Sequence, residues 1–574
     1  MNRRWLVNRT NPEYIEYVSK TASVSRPLAQ ILINRGIKTS EEIHSFLYPQ
    51  LSRLSDPFDI PGMRTAVERI LAASRNGERV LVHGDYDVDG LSATAIVHGA
   101  LKATGIDSVY FIPDRMSQGY GFKPSSVAKA KQVGASLIIT VDCGITAFDA
   151  ADECRRARID LIITDHHEPH VRKEPKHAKR PESVAIPDAV AVVNPKTTGP
   201  ASRNTNLSGA GIAFKLVQAL SMTHSAQFSA YAFLDLAALG TIADVVPLTD
   251  ENRLIVKEGL KLLEKGTRPG IQALRNISGI KGKGIRTGLL LFTIIPRINA
   301  AGRIADSRDV VKLFLSEDED ESAALSVWMD SLNAKRQMIE ENVYQEALGM
   351  LKKRGIPRVI VLAAEAWHRG VIGIVASRIA EEFCRPAFII SIEGDHARGS
   401  ARSIPSFDIC RALAGCDAVL KGFGGHKQAA GLELDTVNIP LFEKYINSIA
   451  EEAFSENECV PVLEIDAYVD LEDVSFSLTK EMEMLEPFGA GNSEPLFGSK
   501  GLEILSPKIV KNNHLKMKLR QRRRTIHAIG FDMAGVLSTL EDSPLVDAVF
   551  TPMVNEWNRS RTLQLNLRAL RPSK

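Results

Sequence analysis

The sequence predicts an α/β protein of several units: a parallel-sheet domain, a smaller α/β domain joined to it by a long helix, and a C-terminal β-barrel. Three observations lead there. From residue 79 short apolar runs alternate with helical patterns, as in a parallel sheet covered on both faces. Residues 317–354 carry one unbroken helical pattern, acidic at its start and basic at its end. Beyond about residue 457, helical patterns give way to short strands.

The elements follow in order. In residues 1–75, RPLAQILINRGI and SEEIHSFL are amphipathic pieces of a helical segment, and Ser40 before Glu41 and Glu42 suits a helix start. Residues 76–316 hold the runs RVLVHG (79–84), SVYFIP (108–113), SLIITVD (136–142), DLIITD (160–165) and VAVVNP (190–195), read as parallel strands. The polar stretch HVRKEPKHAKRPES (170–183) reads as an exposed loop. Residues 317–356 form the connecting helix, ended by Gly355 and Pro357. A second α/β domain, 357–457, begins with RVIVLA (358–363). In 458–574, LEIDAYVDL, LKMKLRQ, TIHAIGF, DAVFTPMVNEW and TLQLNLRAL are the strands of a small barrel, for which an OB-fold fits best. EPFGAGNSEPLF (486–497), rich in Gly and Pro, reads as a hinge leading into it.

Composition excludes several classes. The longest apolar stretches, such as GLLLFTIIP (288–296), fall well short of the roughly 18 residues of a membrane span. The N-terminal MNRRWLVNRTNPEYIEY lacks the apolar run of a secretory signal. Six scattered cysteines form no CxxC pair, which argues against a disulfide framework or structural zinc and for a reducing cytoplasm. A net charge of +2, from 71 basic and 69 acidic residues, leaves room for local patches of either sign.

The chemistry concentrates in HGDYDVDG (83–90), where Asp85, Asp87 and Asp89 crowd the end of an apolar strand. Like charges this close repel, and burying them together raises the cost. The pattern imitates a calcium-binding EF-hand loop, but the required last ligand is replaced by Ile96 and the segment follows a strand. Further acidic and imidazole groups end other strands: Asp142 in VDCG, followed by Gly144, and Asp165, His166 and His167 in TDHHE. Asp244 follows the apolar run LDLAALGTIA. Ligands of parallel sheets bind beyond the carboxyl ends of the strands, which gathers these groups along one edge. Such anionic density requires cations. Oxygen donors with imidazole and no thiolate admit Mn²⁺, Mg²⁺, Zn²⁺ or Fe²⁺, and favour Mn²⁺ or Mg²⁺. There are enough donors for two ions, which would lower the pKa of a shared water and stabilise charge on a phosphoryl oxygen. The predicted class is metal-assisted phosphoester hydrolysis.

Phosphate needs cationic partners as well. IPDRMSQGYG (112–121) offers Arg115, and IIPRINAAGR (294–303) offers Arg297 and Arg303 with Asn299 and Gly302 between them. RGSARSIPSFD (398–408) reads as a small-residue loop with Ser400, Arg402 and Ser403. GFGGHKQAAG (422–431) sets His426 at a glycine-rich turn before an expected helix, whose free N–H groups would bind phosphate. In LKMKLRQRRRTIH (515–527) Arg520, Arg522, Arg523 and Arg524 form a basic tip, and His514, His527 and Trp557 are candidates for stacking on bases.

HGDYDVDG, VDCG, TDHH and TIADVVP, in this order, resemble the four motifs of the DHH phosphoesterase superfamily, and nearly the whole chain resembles its RecJ-type single-strand DNA exonuclease branch. The resemblance implies that the first domain is the DHH domain, and that WHRGVIGIVASRI and GGHKQAAG belong to a DHH-associated domain, facing it across a cleft. It further implies metal ligands His83, Asp87, Asp89, Asp142, His166 and Asp244, with Asp142 bridging two Mn²⁺ or Mg²⁺ ions. Asp85 is left beside them, as a group that steadies a ligand or a water. By the same resemblance His167 meets the scissile phosphate, while Arg115, Ser400 and Arg402 cap the terminal 5′ phosphate. The implied activity is 5′→3′ hydrolysis of single-stranded DNA to 5′-mononucleotides in repair and recombination, with a helicase and a single-strand-binding protein as partners. Two rival readings are a DHH phosphodiesterase of short oligoribonucleotides or cyclic dinucleotides, and a non-catalytic relative holding DNA or helicase components. The extra C-terminal strands count against the first rival and the intact ligand set against the second.

Overall fold

The computed structural model describes residues 4–115, 118–119, 121–172, 183–198, 204–223, 228–455, 460–511, 513–540, 543–557 and 560–573, excepting the side chains of 171, 172, 183, 198, 539 and 557. Most of the expected loop 170–183 and the side chain of Trp557 therefore lie outside the described residues.

Five parallel strands form the sheet of the first domain, in the order Ser108–Phe111, Val80–His83, Leu137–Val141, Asp160–Thr164, Ala191–Val193. Their side chains alternate between two cores. Val80, Val82 and Ile139 face a layer of helices that includes Val88–Ala103 and Gly209–Thr223, whereas Leu81, Ile138 and Ile163 face the helices Pro124–Val133 and Phe148–Ala157. Both faces are thereby dry, which is why the strands read as unbroken apolar runs.

The helix Glu319–Arg354 carries acidic residues in its first turn and Lys352, Lys353 and Arg354 in its last, matching its dipole. At 36 residues it is about 54 Å long. Met329 joins the core of the first domain, while Val343, Tyr344, Ala347 and Leu351 join that of the second. One rigid rod thus sets the spacing of the two domains. The second domain is a five-stranded mixed sheet, ordered Gly422–His426, Ala429–Asp435, His396–Arg402, Ala387–Glu393, Ile360–Glu365, with the helix Arg369–Phe383 packed on it.

The C-terminal strands Phe497–Val510, His514–Gln521, Arg524–Gly530, Ser560–Pro572 and Val546–Trp557 pair in that order, and the last returns to the first, closing a five-stranded barrel. The parallel pairing of 524–530 with 560–572 completes the OB-like arrangement.

Several expectations are corrected. RWLV is a strand (Arg4–Val7) paired in parallel with Val462–Ile465, a partner too distant in sequence for any local pattern to announce. The N-terminal helices Pro12–Ala22, Arg26–Asn34 and Ser40–Leu47 share one core with the barrel, through Leu28, Leu32, Leu478, Leu502 and others. RGSARS is a strand rather than a loop, placing Ser400 and Arg402 on one face of the sheet. GGHKQAAG forms a hairpin, so no helix start stands behind His426; that residue lies on the exposed edge strand, paired with Ala429. The segment read as a hinge is docked firmly, as detailed below.

Candidate metal centre

Three adjacent strands deliver the acidic groups. Asp85 and Asp87 follow Val80–His83, Asp142 follows Leu137–Val141, and Asp165 with His166 follow Asp160–Thr164. Asp87 caps the helix Val88–Ala103, accepting from the Gly90 N–H at 3.0 Å, and the first turn carries Asp89 inward. Asp244 arrives from the far side, at the end of the helix Leu234–Ala243. The atoms of Asp89, His166 and Asp244 lie within 4.8 Å of one another, as do those of Asp142, His166 and His167, and those of Asp85, Asp87 and Asp142.

Glycines make room for this convergence. A Cβ on Gly209 would collide with the Asp142 carboxylate, and one on Gly240 would lie 2.5 Å from Asp89 Oδ1. Asp142 itself sits at φ 61 and Val245, just after Asp244, at φ 60, left-handed conformations that cost a non-glycine residue ~1–3 kcal/mol each. Asp89 is steadied by amides at the start of the helix Gly209–Thr223: Gly209 N–H donates to it at 2.7 Å and Ala210 N–H at 2.9 Å.

The electrostatics are those of an anionic site wanting counter-charge. Burial, followed by the Asp87 charge, pushes the Asp89 carboxyl up to about 7. Burial together with the Asp89 and Asp87 charges pushes Asp244 up to about 8, and Asp85 and Asp142 stand well above the usual range for the same reasons. His166 is lowered to about 3 by burial and by the charge on His167. Its Nε2 lies 3.1 Å from Asp142 Oδ1, 3.6 Å from Asp244 Oδ2 and 3.9 Å from Asp89 Oδ2. The shortest of these is not aligned as a hydrogen bond: Asp142 Oδ1, Asp85 Oδ1 and His166 Nε2 are all buried without a partner. Buried acceptors facing one another without donors are the mark of a cation site. The donor set, carboxylate oxygens with one neutral imidazole, suits Mn²⁺ or Mg²⁺.

His167 behaves oppositely to its neighbour. Burial works against its charge, but the Asp165 carboxylate, 2.7 Å from Nδ1, outweighs it and raises the imidazolium to about 9. Asp165 also accepts from the N–H groups of Ile145, His166 and His167, at 2.9, 2.8 and 3.1 Å. This cationic ring sits 4.4 Å from the His166 ring.

His83, expected among the ligands, is not brought to the cluster. Period-two alternation turns it with Leu81 to the opposite layer, where Nε2 meets Ser126 Oγ at 2.9 Å and Nδ1 meets Cys143 Sγ at 3.6 Å. Arg297 is likewise not part of the cleft: it is tied to Asp330 at 2.8 Å and to the Thr293 carbonyl at 2.7 Å, pinning its helix to the long rod. Asp85, Asp87, Asp89, Asp244, Arg115, Asn299 and Arg303 do line a common cleft of about 300 Å³. The Arg115 guanidinium stacks 5.0 Å over the Tyr86 ring. From the second domain Arg402 adds its charge: burial and Arg115 lower its pKa, and Arg303 falls to about 10 through burial and the charges of Arg115, Arg336 and Arg402. Ser400 and Arg402 flank Gly373, where a Cβ would lie 2.9 Å from Ser400 Oγ. The guanidiniums of Arg115, Arg303 and Arg402 thus stand near enough at the domain junction to repel one another.

Three contributors escape sequence reasoning: the Gly209 and Ala210 amides, Asp165 as the brace of His167, and Tyr86 beneath Arg115. For the first a signal existed, since Ser208 before GAG opens an apolar helix.

Family models match three segments: DHH family, N-terminal domain, over residues 79–241; DHHA1 domain over 357–452; and RecJ OB domain over 465–569. A Bacillus subtilis (strain 168) protein named single-stranded-DNA-specific exonuclease RecJ is 35% identical over 570 residues, covering 98% of this chain and 70% of that relative. The chain belongs to the RecJ family. Two crystal structures of RecJ from Thermus thermophilus share the fold. The complex with Mn²⁺ has a TM-score of 0.83 at 30% identity, covering 100% of this chain and 80% of that one. The complex with Mg²⁺ has a TM-score of 0.78 at 29% identity, covering 100% and 79%. Among the described residues of this RecJ-family chain, no helix is long and apolar enough to cross a membrane.

Proposed function

We propose that this chain is a metal-dependent exonuclease that hydrolyses single-stranded DNA from the 5′ end to 5′-mononucleotides. The observation that carries this reading is the convergence of the buried, unpartnered acceptors of Asp142, Asp85 and His166 opposite a cluster of arginines. Asp87, Asp89, Asp142, His166 and Asp244, with Asp85 beside them, would hold two divalent cations, Mn²⁺ or Mg²⁺. Bound there, the ions supply Lewis acidity toward a phosphoryl oxygen and lower the pKa of a shared water.

The chain's own groups do the rest. The Gly209 and Ala210 amides fix the Asp89 carboxylate in one orientation. Cationic His167, held by Asp165, offers Nε2 as a donor to the non-bridging oxygens of the scissile phosphate as charge develops there. Arg115, Ser400 and Arg402 grip the terminal 5′ phosphate, so that the strand enters by its end.

On the barrel the structure redirects the basic patch. Arg520 is paired with Glu503 and Arg522 with Asp470, and Arg524 donates to the Val474 carbonyl at 3.3 Å, whereas exposed Arg523 at the hairpin tip and Lys516 and Lys518, on the outward face of His514–Gln521, have no ion pair among the described residues. These, with exposed His527 opposite Lys518, offer a track for the DNA backbone. His514 is occupied, its Nδ1 accepting from the Asp532 N–H at 3.2 Å. A strand-separating helicase and a single-strand-binding protein fit such an enzyme as partners, in a cytoplasmic setting.

The deciding experiment compares 5′-labelled long single-stranded DNA with dinucleotides, using wild type and Asp142→Ala in Mn²⁺. Progressive release of 5′-mononucleotides from the long strand, lost in the variant, is expected. Cleavage of dinucleotides alone would refute the substrate class, and undiminished nuclease activity in Asp142→Ala would refute the site.

A further inference from the structure

We propose that residues 485–492, which lead into the barrel, are a positioning element for Asp244: only with this connector seated does the metal centre keep the spacing its cations need. The inference rests on the metal reading given above.

Asp244 ends one helix, and the next, Asp250–Lys265, starts after a short loop that contains Val245 at φ 60 and opens into Asp250 at φ 45. Such left-handed non-glycine residues persist only where their surroundings over-determine them. Here the connector supplies that constraint from one side. Leu248 N–H donates to the Ala490 carbonyl at 2.7 Å. Gly489 lies flat on Leu248, where a Cβ would come within 2.6 Å of Leu248 Cδ1. Gly491, at φ 69, faces Pro247 and Thr249, and a Cβ there would lie 3.2 and 3.3 Å from their side chains. Buried Arg253 donates to the Leu485 and Met484 carbonyls at 2.8 and 3.1 Å, and the Thr287 hydroxyl donates to the Phe488 carbonyl at 2.6 Å. The connector is itself braced by buried Asn492, whose Nδ2 donates to the carbonyls of Leu485 and Pro487 at 2.8 and 2.7 Å and whose Oδ1 accepts from Arg35 of the N-terminal helices.

From the other side, buried Asn252 joins the same loop to the cradle of Asp89. Its Nδ2 donates to the Pro247 carbonyl at 3.0 Å and to the Asn206 carbonyl at 2.5 Å. Asn206 leads within three residues to Gly209, whose amide binds Asp89. An unbroken chain of short contacts therefore runs from the connector through the loop 247–253 to two of the carboxylates. If the barrel's connector lifts off, the strained loop loses its constraint and relaxes, and Asp244 withdraws. Barrel seating and cation binding are then linked, each favouring the other.

The test uses the full chain stripped of metal with EDTA, dialysed, and titrated with Mn²⁺ by electron paramagnetic resonance. Gly491→Ala should weaken Mn²⁺ binding about tenfold, the range for groups that orient metal ligands, and Thr287→Val should act in the same direction. Binding of single-stranded DNA in EDTA should be retained by both. The control is Gly501→Ala, at φ 63 in the barrel with open space around it, which carries a similar backbone penalty without touching the loop and should bind Mn²⁺ as wild type does. Wild-type Mn²⁺ affinity in both Gly491→Ala and Thr287→Val, or equal weakening by Gly501→Ala, would overturn the inference. If Asp142→Ala also bound Mn²⁺ normally, the metal reading beneath it would fall instead.

Discussion

Replacing Asp165 by Asn tests what keeps His167 charged. The carboxylate lies 2.7 Å from Nδ1 and, against the cost of burial, raises the imidazolium from the usual 6.5 to about 9. At pH 8 a group titrating at about 9 is about 90% protonated, whereas one at 6.5 is about 3% protonated, a ratio of about thirty. At pH 6 the same ratio is only about 1.3. If a cationic His167 stabilises the phosphate in the transition state, Asp165→Asn should lose kcat/KM at pH 8 by on the order of thirtyfold beyond its structural share, the figure for an imidazole returned to its ordinary value, and at pH 6 little more than that share. That share is the mismatch of an amide against the Ile145 N–H, now 2.9 Å from Asp165 Oδ2, and it costs ~1–3 kcal/mol independently of pH. The assay is release of mononucleotides from 5′-labelled single strands in saturating Mn²⁺, from pH 6 to 9. A loss equal at both ends would show that the brace is structural and that the charge on His167 does no catalytic work.

Other consequences are as direct. Gly209→Ala places a methyl group against the Asp142 carboxylate and should weaken Mn²⁺ binding by about 10–100-fold, measured by calorimetry, with little change in circular dichroism. In EDTA the Asp89 and Asp244 carboxyls, at about 7 and about 8 against an unfolded value of 3.8, bind protons in the native state that the unfolded chain releases. The stability these two groups contribute is therefore lost as pH rises through about 8, while His83 and His166, held neutral by burial, act in the opposite sense below about 6.5; thermal melts should show the fall from about pH 6.5 to 8, flattened by added Mn²⁺. Changing both Lys516 and Lys518 to Glu should lower single-stranded DNA affinity and reduce its salt slope by about 1.4, whereas Arg520→Ala, which removes a cation already paired with Glu503, should do much less.

The limits of sequence reasoning show at particular residues. Asp142 and His166 are legible because they follow apolar runs that become strands of one parallel sheet, and such strands end along one edge; Asp87 and Asp89 stand in the acidic turn after a third such run, and Asp244 follows an apolar helix. His83 was misread because the same run does not say which face its last residue takes. The alternation of Val80, Leu81, Val82 and His83 answers only once the two layers exist, and it points the ring at Ser126 and Cys143. GGHKQAAG looked like a helix start because small residues suit both a helix and a close-packed hairpin; pairing with His396–Arg402 decided for the strand. Arg297 and Arg303 share one motif, yet Asp330 on the long helix captures the first and leaves the second in the cleft.

Local, periodic features are written in the sequence: the five parallel runs, the long rod with its charges matched to its dipole, the barrel strands, and the carboxylates at strand ends. These depend on patterns of a few residues, written out in order along the chain. Contacts between distant segments come from the folded chain alone. It put Arg402 opposite Arg115, set the Gly209 and Ala210 amides on Asp89, and seated the Gly- and Pro-rich connector against the loop behind Asp244. Such contacts are settled by packing. A glycine, an amide or an arginine means nothing definite until another segment arrives beside it, and the pattern of its own neighbours carries no record of which segment that will be.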